Sequence, residues 1–330
     1  MRLLVFNCHE AWVHQLGVLG CELDIIIGLK GHHATGWDSR MRPLPAKSRT
    51  LTLAEALAEQ ASYDCIIAHN LTDLLDVKSL SGPRLLVVHS TYEGRLRSED
   101  ADLPLDQLRA TIRKYLKLVG GHAVAVSKMK TGPDGFPKDV VNAGVEIADF
   151  PAHGGELAAG LRVANQISQK RAVLLWDFHE AALAGLPVTL VGHNPDLPGV
   201  EPARDWDDLK AILARHRFFV HTADPRYEDG YNMAVLEAMA SGLPIIGNRH
   251  LTSPVRHGES GFLADNPEEL RGYAERLLAE PALAAQMGAA ARTNVARRFP
   301  LSQFGKAMRR AIHSAQRKWR KTQGKRSAAA

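Results

Sequence analysis

Short unbroken apolar runs alternate with helical patterns along the first half of the chain. A strand covered by helices on both faces reads as a continuous apolar run, because neither face meets water. The alternation therefore predicts a parallel sheet with helices on both sides. The predicted strands are residues 3–6, 23–27, 65–68, 85–88, 123–126 and 140–141.

The second half of the chain repeats this alternation. Its predicted strands are residues 161–165, 188–191, 218–221 and 243–247, and its predicted helices are residues 170–184, 209–215, 267–279, 281–298 and 301–322. Residues 91–105 are charged and aperiodic, which predicts a loop. The expected fold is α/β with two Rossmann-like domains, residues 1–150 and 151–300, followed by a basic helix and tail at residues 301–330.

Polar side chains follow three of the predicted strands directly. They are His69, His89 and Ser127. Ligands of open parallel sheets bind beyond the carboxyl ends of the strands, so these side chains are expected to face a crevice. Taken alone, a histidine after a strand is more often structural, and for His69 that interpretation is favoured.

The stretch at residues 227–244 predicts a strand, a glycine-containing loop, a helix and a further strand in succession. The free N–H groups at the start of such a helix, together with its dipole, favour a phosphate. Glu237, two turns into the helix, is suited to accept two hydrogen bonds from a vicinal diol such as ribose. The alternative is a capped helix with an exposed Glu237.

The residues of this stretch resemble a known family. Residues 229–233 read Asp-Gly-Tyr-Asn-Met, and residues 237–244 read Glu-Ala-Met-Ala-Ser-Gly-Leu-Pro. This resembles the acid, seven residues, Glu motif of the family-4 type (group 1) retaining GT-B glycosyltransferases, including its tail. Those enzymes usually carry Glu at the first position, where this chain has Asp229 preceded by Glu228. The resemblance implies two Rossmann-like domains facing across a cleft, with a last helix that crosses back to the first domain.

The resemblance also implies roles for individual residues. Glu237 would bind the ribose of a nucleotide-diphosphate sugar, and Asp229 with His89 would touch the donor sugar. The family holds the diphosphate with a Gly-Arg pair and a Lys about five residues later. Here Arg162 and Lys170 are eight apart, and two solvated surface charges are the alternative. The diphosphate would be held by the backbone of Gly230, Tyr231, Asn232 and Met233 together with Arg162 and Lys170.

Composition excludes several other classes of protein. With 330 residues, 45% apolar and 23% charged, the chain suits a globular protein of two domains. No apolar run approaches the roughly 20 residues of a membrane helix, and the N-terminus does not resemble a signal peptide, so a cytoplasmic location is expected. Three widely spaced cysteines predict neither disulfides nor a zinc site. We expect no cofactor and no metal, since the acids at residues 205–208 cap a predicted helix.

The charge of +5 resides in the C-terminal segment. Residues 306–326 carry nine Lys or Arg and no acid, which leaves 32 basic and 36 acidic residues elsewhere, a net charge of −4. Such a helix favours an anionic membrane surface, at about 1 kcal/mol per basic residue, and a solvated tail is the alternative. Nucleic acid is not expected, because Trp319 is the one aromatic residue there for base stacking.

Together these patterns predict an enzyme that moves a sugar from a nucleotide-diphosphate sugar to an acceptor. The resemblance implies retention of configuration without a metal, and a glycan or lipid-linked glycan acceptor in cell-surface polysaccharide biosynthesis. Two alternatives stay open. One is a nucleotide-sugar epimerase or phosphorylase on the same fold, and the other is a catalytically weak nucleotide-sugar-binding protein.

Overall fold

The computed structural model describes residues 1–29, 36–98, 103–132, 135–151 and 153–327. The strands are β1 (Arg2–Phe6), β2 (Glu22–Ile27), β3 (Ser48–Thr52), β4 (Cys65–Ala68), β5 (Arg84–Val88), β6 (His122–Ala125), β7 (Asp139–Val140), β8 (Leu157–Val163), β9 (Val188–Val191), β10 (His216–Val220), β11 (Ile245–Asn248) and β12 (Gly261–Ala264). The α-helices are α1 (Glu10–His14), α2 (Leu53–Glu59), α3 (Leu71–Asp76), α4 (Tyr92–Ser98), α5 (Leu105–Val119), α6 (Trp176–Leu183), α7 (Trp206–Arg215), α8 (Met233–Ala240), α9 (Pro267–Ala279), α10 (Pro281–Arg298) and α11 (Leu301–Ser327). Short 3-10 helices lie at Gln15–Leu19, Met129–Thr131 and Ile147–Asp149.

The first compact unit comprises Met1–Tyr92, Asp102–Ala143 and Leu301–Ala330. Its sheet has the strand order β3-β2-β1-β4-β5-β6-β7, and every pairing in it is parallel. Val5 of β1 lies opposite Ile25 on one side and Ile67 on the other. The chain order reverses between β1 and β4, which is where ligands of such sheets bind.

Helix α11 packs within this first unit. Its side chains Phe304, Met308 and Ile312 are buried, as the spacing predicted. Hydrogen bonds tie the same helix to the unit, since Arg309 donates to the Leu19 carbonyl at 2.6 Å and Gln316 donates to the Asp64 carbonyl at 3.2 Å. Most of the lysine and arginine side chains of α11 are exposed on the opposite side.

The second compact unit comprises Glu93–Ala101 and Gly144–Pro300. Its sheet has the order β12-β11-β10-β8-β9 and is also parallel. Its chain order reverses between β10 and β8, so the loops after those two strands flank the expected ligand-binding edge. Two parallel sheets confirm the predicted α/β class.

The structure differs from the sequence-based prediction in three segments. Lys170 lies in a series of turns, and α6 begins six residues later at Trp176 because the preceding Leu175 has a left-handed backbone with φ of 46°. The predicted loop at residues 91–105 contains helix α4, while residues 99–102 lie outside the described residues. Strand β3 is the outermost strand of its sheet, so its polar, half-exposed sequence gave no apolar run.

Across the described part of the chain, no helix is long and apolar enough to cross a membrane. The three cysteines are free thiols. The acids before α7 cap it as expected, with Asp205 accepting a hydrogen bond from the Asp208 amide at 2.7 Å.

Candidate active site

The loops after β8 and β10 meet at the ligand-binding edge of the second sheet. Lys170 in the first loop interacts electrostatically with Glu228 in the second. Burial lowers the pKa of the Lys170 ammonium, and the nearby Glu228 carboxylate acts in the opposite direction. One of the two predicted phosphate-binding cations is therefore within electrostatic range of the predicted acid-glycine loop.

A buried imidazole holds that acid-glycine loop in place. His250 donates its Nε2–H to the Glu228 carbonyl at 3.0 Å, so its Nδ1 is unprotonated and accepts the Thr252 amide at 3.1 Å. Thr252 also contacts the loop, because its Oγ1 accepts a hydrogen bond from the Gly230 amide at 2.8 Å. The Gly230 N–H thus has a protein acceptor, which corrects its predicted role as a phosphate donor.

Gly230 packs so closely against His250 that a larger residue is excluded. A Cβ atom added there would lie 2.8 Å from the Cβ and Cγ atoms of His250 and 2.9 Å from its Nδ1. We expect Gly230→Ala to cost about 1–3 kcal/mol of unfolding free energy through overpacking and to weaken nucleotide binding about tenfold or more. Denaturant unfolding and nucleotide titration of the purified variant measure the two effects.

A double-mutant cycle with His250→Gly tests the cause of that loss. The second substitution removes the three atoms that the new Cβ would meet. The cost of Gly230→Ala should therefore be clearly smaller in the His250→Gly background. Equal costs in both backgrounds would contradict the steric explanation.

Helix α8 starts immediately after this loop. Asn232 is its N-cap, and its side-chain oxygen accepts the Val235 amide at 3.0 Å. Asn232 is exposed and Tyr231 and Met233 are half-buried, so the beginning of the helix reaches solvent. Of the four predicted backbone contacts, Tyr231, Asn232 and Met233 therefore lie at an accessible helix start.

The two carboxylates of the motif are both buried. Asp229 is 1% exposed, and Glu237 on α8 is 7% exposed among apolar neighbours in the same helix. The backbone carbonyl of Asp229 accepts a hydrogen bond from His221 Nε2 at 3.4 Å. Burying a carboxylate costs free energy unless it is paired. Because Glu237 is buried, the alternative of a capped helix with an exposed Glu237 is wrong.

In the first unit, His89 belongs to a cluster at the carboxyl ends of three neighbouring strands. His69 Nδ1 and His89 Nε2 share a hydrogen bond of 2.8 Å, and Cys8 Sγ lies 3.7 Å from His89 Nε2. Trp12 packs edge-on against both imidazoles, with ring centroids 5.1 Å apart in each case. Burial is the main reason that the pKa of His89 lies well below its usual value. His89 is therefore held neutral in a fixed position.

Comparison with known proteins finds a family match inside the second unit. Residues 178–280 match the family described as Glycosyl transferases group 1. We name the second unit the group 1 domain after this match. No curated protein sequence matches the chain.

Solved structures show the fold of the whole chain. Sucrose-phosphate synthase from Thermosynechococcus elongatus has a TM-score of 0.69 at 15% identity, over 95% of this chain and 98% of that protein. HepE from Anabaena, solved with UDP and glucose, has a TM-score of 0.68 at 13% identity, over 95% of this chain and all of HepE. TarM from S. aureus has a TM-score of 0.59 at 15% identity over 79% of this chain, which spans 58% of the length of TarM. The chain has the GT-B fold of two Rossmann-like domains.

Arg162 of the group 1 domain does not lie at the ligand edge. Its side chain is 2% exposed, and burial lowers the pKa of its guanidinium to about 9. It donates to Thr222 Oγ1 at 2.8 Å and to the Leu174 carbonyl at 3.1 Å, and it lies over the Trp176 ring. Arg162 therefore joins β8 to the following turns in the core, which contradicts both predicted roles, the phosphate contact and the solvated surface charge.

Asn165 occupies the position that the family spacing assigns to the arginine. It lies five residues before Lys170 and two residues after the end of β8, and its side chain is exposed. Its Oδ1 accepts the His193 amide at 2.8 Å. The family spacing of five residues before Lys170 points to Asn165. Asn165 was not predicted as a site residue because an amide carries no positive charge. Of the two cationic positions in the family pattern, one is filled by a cation among the described residues, namely Lys170.

The same buried arginine keeps His179 of the group 1 domain neutral. Arg162 donates to His179 Nδ1 at 3.1 Å, and His179 stacks on Trp176 with ring centroids 4.3 Å apart. Burial first, and Arg162 second, lower the pKa of His179 to about 3. In the unfolded chain the ordinary pKa is about 6.5, so below that pH the unfolded state binds a proton that the folded state does not.

We therefore expect His179 to make the domain acid-sensitive. Its contribution is fully present at pH 7 and falls as pH decreases below about 6.5, by about 2 kcal/mol at pH 5. His179→Gln keeps an acceptor for Arg162 and does not titrate, so its unfolding free energy should fall less steeply between pH 7 and pH 5. Denaturant unfolding at several pH values compares the two slopes, and equal slopes would contradict the assignment.

Proposed function

We propose that the chain transfers a sugar from a nucleotide-diphosphate sugar to an acceptor hydroxyl. The observation that carries this proposal is the placement of the group 1 motif. Its loop and helix follow β10 directly, at the point where the strand order of the sheet reverses, and Lys170 approaches the same loop from β8. That edge is where parallel sheets bind nucleotides.

In this proposal the residues at this edge each contact a different part of the donor. Glu237 accepts hydrogen bonds from the two ribose hydroxyls. Lys170 and the accessible amides at the start of α8 neutralise the diphosphate, since a cation and a helix N-terminus both favour negative charge. Asp229, with His89 on the strength of the resemblance, contacts the donor sugar.

Neutralising the diphosphate is the main chemical contribution of these groups. As the bond from the anomeric carbon to the phosphate oxygen breaks, negative charge grows on that oxygen, and fixed donors there lower the barrier. The proposed reaction retains the anomeric configuration, and the departing phosphate takes the acceptor proton. It uses no metal, because the Lys170 ammonium and the helix start supply the positive charge.

A thermal-shift screen tests the donor site first. UDP, GDP, ADP and their common sugars are compared, and a ligand at 100 times its dissociation constant should add about 2.7 kcal/mol of stability. The stabilising nucleotide sugar is then incubated with candidate acceptors, and NMR of the product reports the anomeric configuration. Transfer that persists undiminished after chelator treatment supports a metal-independent reaction. A screen with no stabilising nucleotide at millimolar concentration would contradict the proposal.

The acceptor that we propose is a glycan or lipid-linked glycan of cell-surface polysaccharide synthesis. The support for a membrane-borne acceptor is α11, whose lysine and arginine side chains are mostly exposed. At about 1 kcal/mol per basic residue near an anionic surface, we expect the protein to co-sediment with vesicles containing phosphatidylserine and not with neutral vesicles. Binding should decrease with salt, and equal binding to both vesicle types would contradict this role of α11.

The two alternatives have distinct outcomes in the same assays. An epimerase converts the nucleotide sugar without any acceptor, and a phosphorylase consumes free phosphate. A binding protein is stabilised by the nucleotide sugar but forms no product with any acceptor. The replacement of the second phosphate-binding cation by Asn165 is the observation that favours weak catalysis.

A further inference from the structure

Three potential metal ligands converge in the first unit at the carboxyl ends of β1, β4 and β5. Cys8 follows β1 by two residues, while His69 and His89 directly follow β4 and β5. One ligand atom from each residue lies within 4.8 Å of the other two. The shortest separations are 2.8 Å between His69 Nδ1 and His89 Nε2, and 3.7 Å between Cys8 Sγ and His89 Nε2.

These separations are close to those around a tetrahedral zinc ion. Zinc bonds of about 2.3 Å to sulfur and about 2.0 Å to nitrogen place a sulfur and a nitrogen ligand about 3.5 Å apart and two nitrogen ligands about 3.3 Å apart. The sulfur to nitrogen separation already fits. The two imidazoles must part by about 0.5 Å, which a small rotation of either ring provides.

The surroundings hold the two imidazoles in position. Trp12 packs edge-on against both rings, and Phe304 of α11 packs edge-on against Trp12 at a centroid distance of 5.6 Å. The backbone of His69 is fixed through its amide, which donates to Asp73 at 2.8 Å. Cys8 and His89 are partly exposed, so an ion can reach the cluster from solvent. Ligands fixed in this way lose little conformational entropy on binding.

We propose that Cys8, His69 and His89 bind a divalent ion of the zinc type. A thiolate and two imidazoles select zinc or cobalt over magnesium and calcium, which prefer oxygen ligands. Three protein ligands leave a fourth position for water. On binding, the Cys8 thiol releases its proton to solvent, and the proton between the imidazoles moves to the other nitrogen of its ring, so each ion releases one proton.

The ion would act as an inhibitor of transfer, and this part rests on the proposed function. His89 is the proposed contact of the donor sugar, and a ring whose Nε2 binds the ion is no longer available to it. Zinc at one equivalent should therefore suppress transfer, and a chelator should restore it. The metal site itself does not depend on any activity.

Cobalt absorption tests the site directly. Untagged full-length protein is treated with chelator, dialysed and titrated with Co²⁺. We expect one equivalent to bind with a thiolate-to-cobalt charge-transfer band, and one equivalent of Zn²⁺ to remove that band. Cys8→Ser should abolish the band, His69→Gln should weaken cobalt binding at least tenfold, and Cys21→Ser should change neither.

Circular dichroism of each variant establishes that it is folded, and His69→Gln keeps the test valid if Cys8→Ser does not fold. The metal site would be overturned if wild-type protein showed no charge-transfer band on titration with cobalt. It would also be overturned if the band survived in Cys8→Ser or disappeared in Cys21→Ser. If cobalt binds as expected but zinc leaves transfer unchanged, the inhibitory part is overturned while the site stands. If no nucleotide stabilises the protein, the proposed function fails while the cobalt result still decides the metal site.

Discussion

Replacing Glu237 with alanine is expected to abolish stabilisation by nucleotide and to lower kcat/KM for the donor by at least about 100-fold. A hydrogen bond to a charged group contributes about 1.5–3 kcal/mol, and the proposed carboxylate accepts two from one ribose. Glu237 is 7% exposed, so water cannot substitute for it easily. Thermal shift and initial rates at limiting donor concentration measure the two losses.

Two further variants complete the test of Glu237, one conservative substitution and one control. Glu237→Gln keeps the volume but replaces one acceptor oxygen with a donor, so it should lose most of the binding as well. Glu275→Ala removes an exposed carboxylate that pairs with Arg271 on α9 at 2.9 Å, and it should leave nucleotide binding unchanged. If nucleotide stabilised the Glu237→Ala protein as much as it stabilises wild type, the assignment of Glu237 to the ribose would be wrong.

Replacing Gly288 with alanine is expected to destabilise the group 1 domain by about 3 kcal/mol or more. Gly288 lies in α10, and a Cβ atom there would lie 1.8 Å from the carbonyl oxygen of Gly242, just after α8. That neighbour is backbone and cannot rotate away, so α8 and α10 would have to separate. For a domain of this size, the expected decrease in melting temperature is about 10 °C.

Gly272→Ala is the matched control for Gly288. It changes the same residue type within the helix α9, but a Cβ atom there would meet nothing within 4 Å. Because alanine has the higher helix propensity, this variant should be more stable than wild type by up to about 1 kcal/mol. Calorimetry of both variants compares them, and a Gly288→Ala protein as stable as the Gly272→Ala protein would contradict the close approach of α8 and α10.

The sequence predicted best those features that local pattern determines. Strands β4, β5 and β6 are short apolar runs in which every position is buried, and the stretch from β10 to β11 carries its glycine, cap and apolar positions within about thirty residues. Helix α11 was predicted from Phe304, Met308 and Ile312 for the same reason. These features require no knowledge of distant parts of the chain.

The errors concern contacts between distant residues. Arg162 was predicted to contact the diphosphate, with a solvated surface charge as the alternative, but it is buried and donates a hydrogen bond to Thr222, which lies 60 residues away. The cysteines were expected to form no zinc site because they are widely spaced in sequence, and the approach of Cys8 to His89, 81 residues away, was not predicted. His250 and Thr252 were missed because they contact the acid-glycine loop from the segment after β11. The spacing of residues within a single stretch of sequence does not reveal such pairs.

The position of α11 has a consequence for the order in which the chain folds during synthesis. The ribosome releases the first seven strands early, but the helix that covers β4, β5 and β6 emerges only after the whole second unit. Domains generally fold as units as they leave the ribosome. We therefore expect the group 1 domain, whose core ends at residue 300, to become native before the first unit, whose exposed apolar surface must wait for Phe304, Met308 and Ile312. For that interval the nascent first unit is the part of this protein that chaperones have most reason to bind.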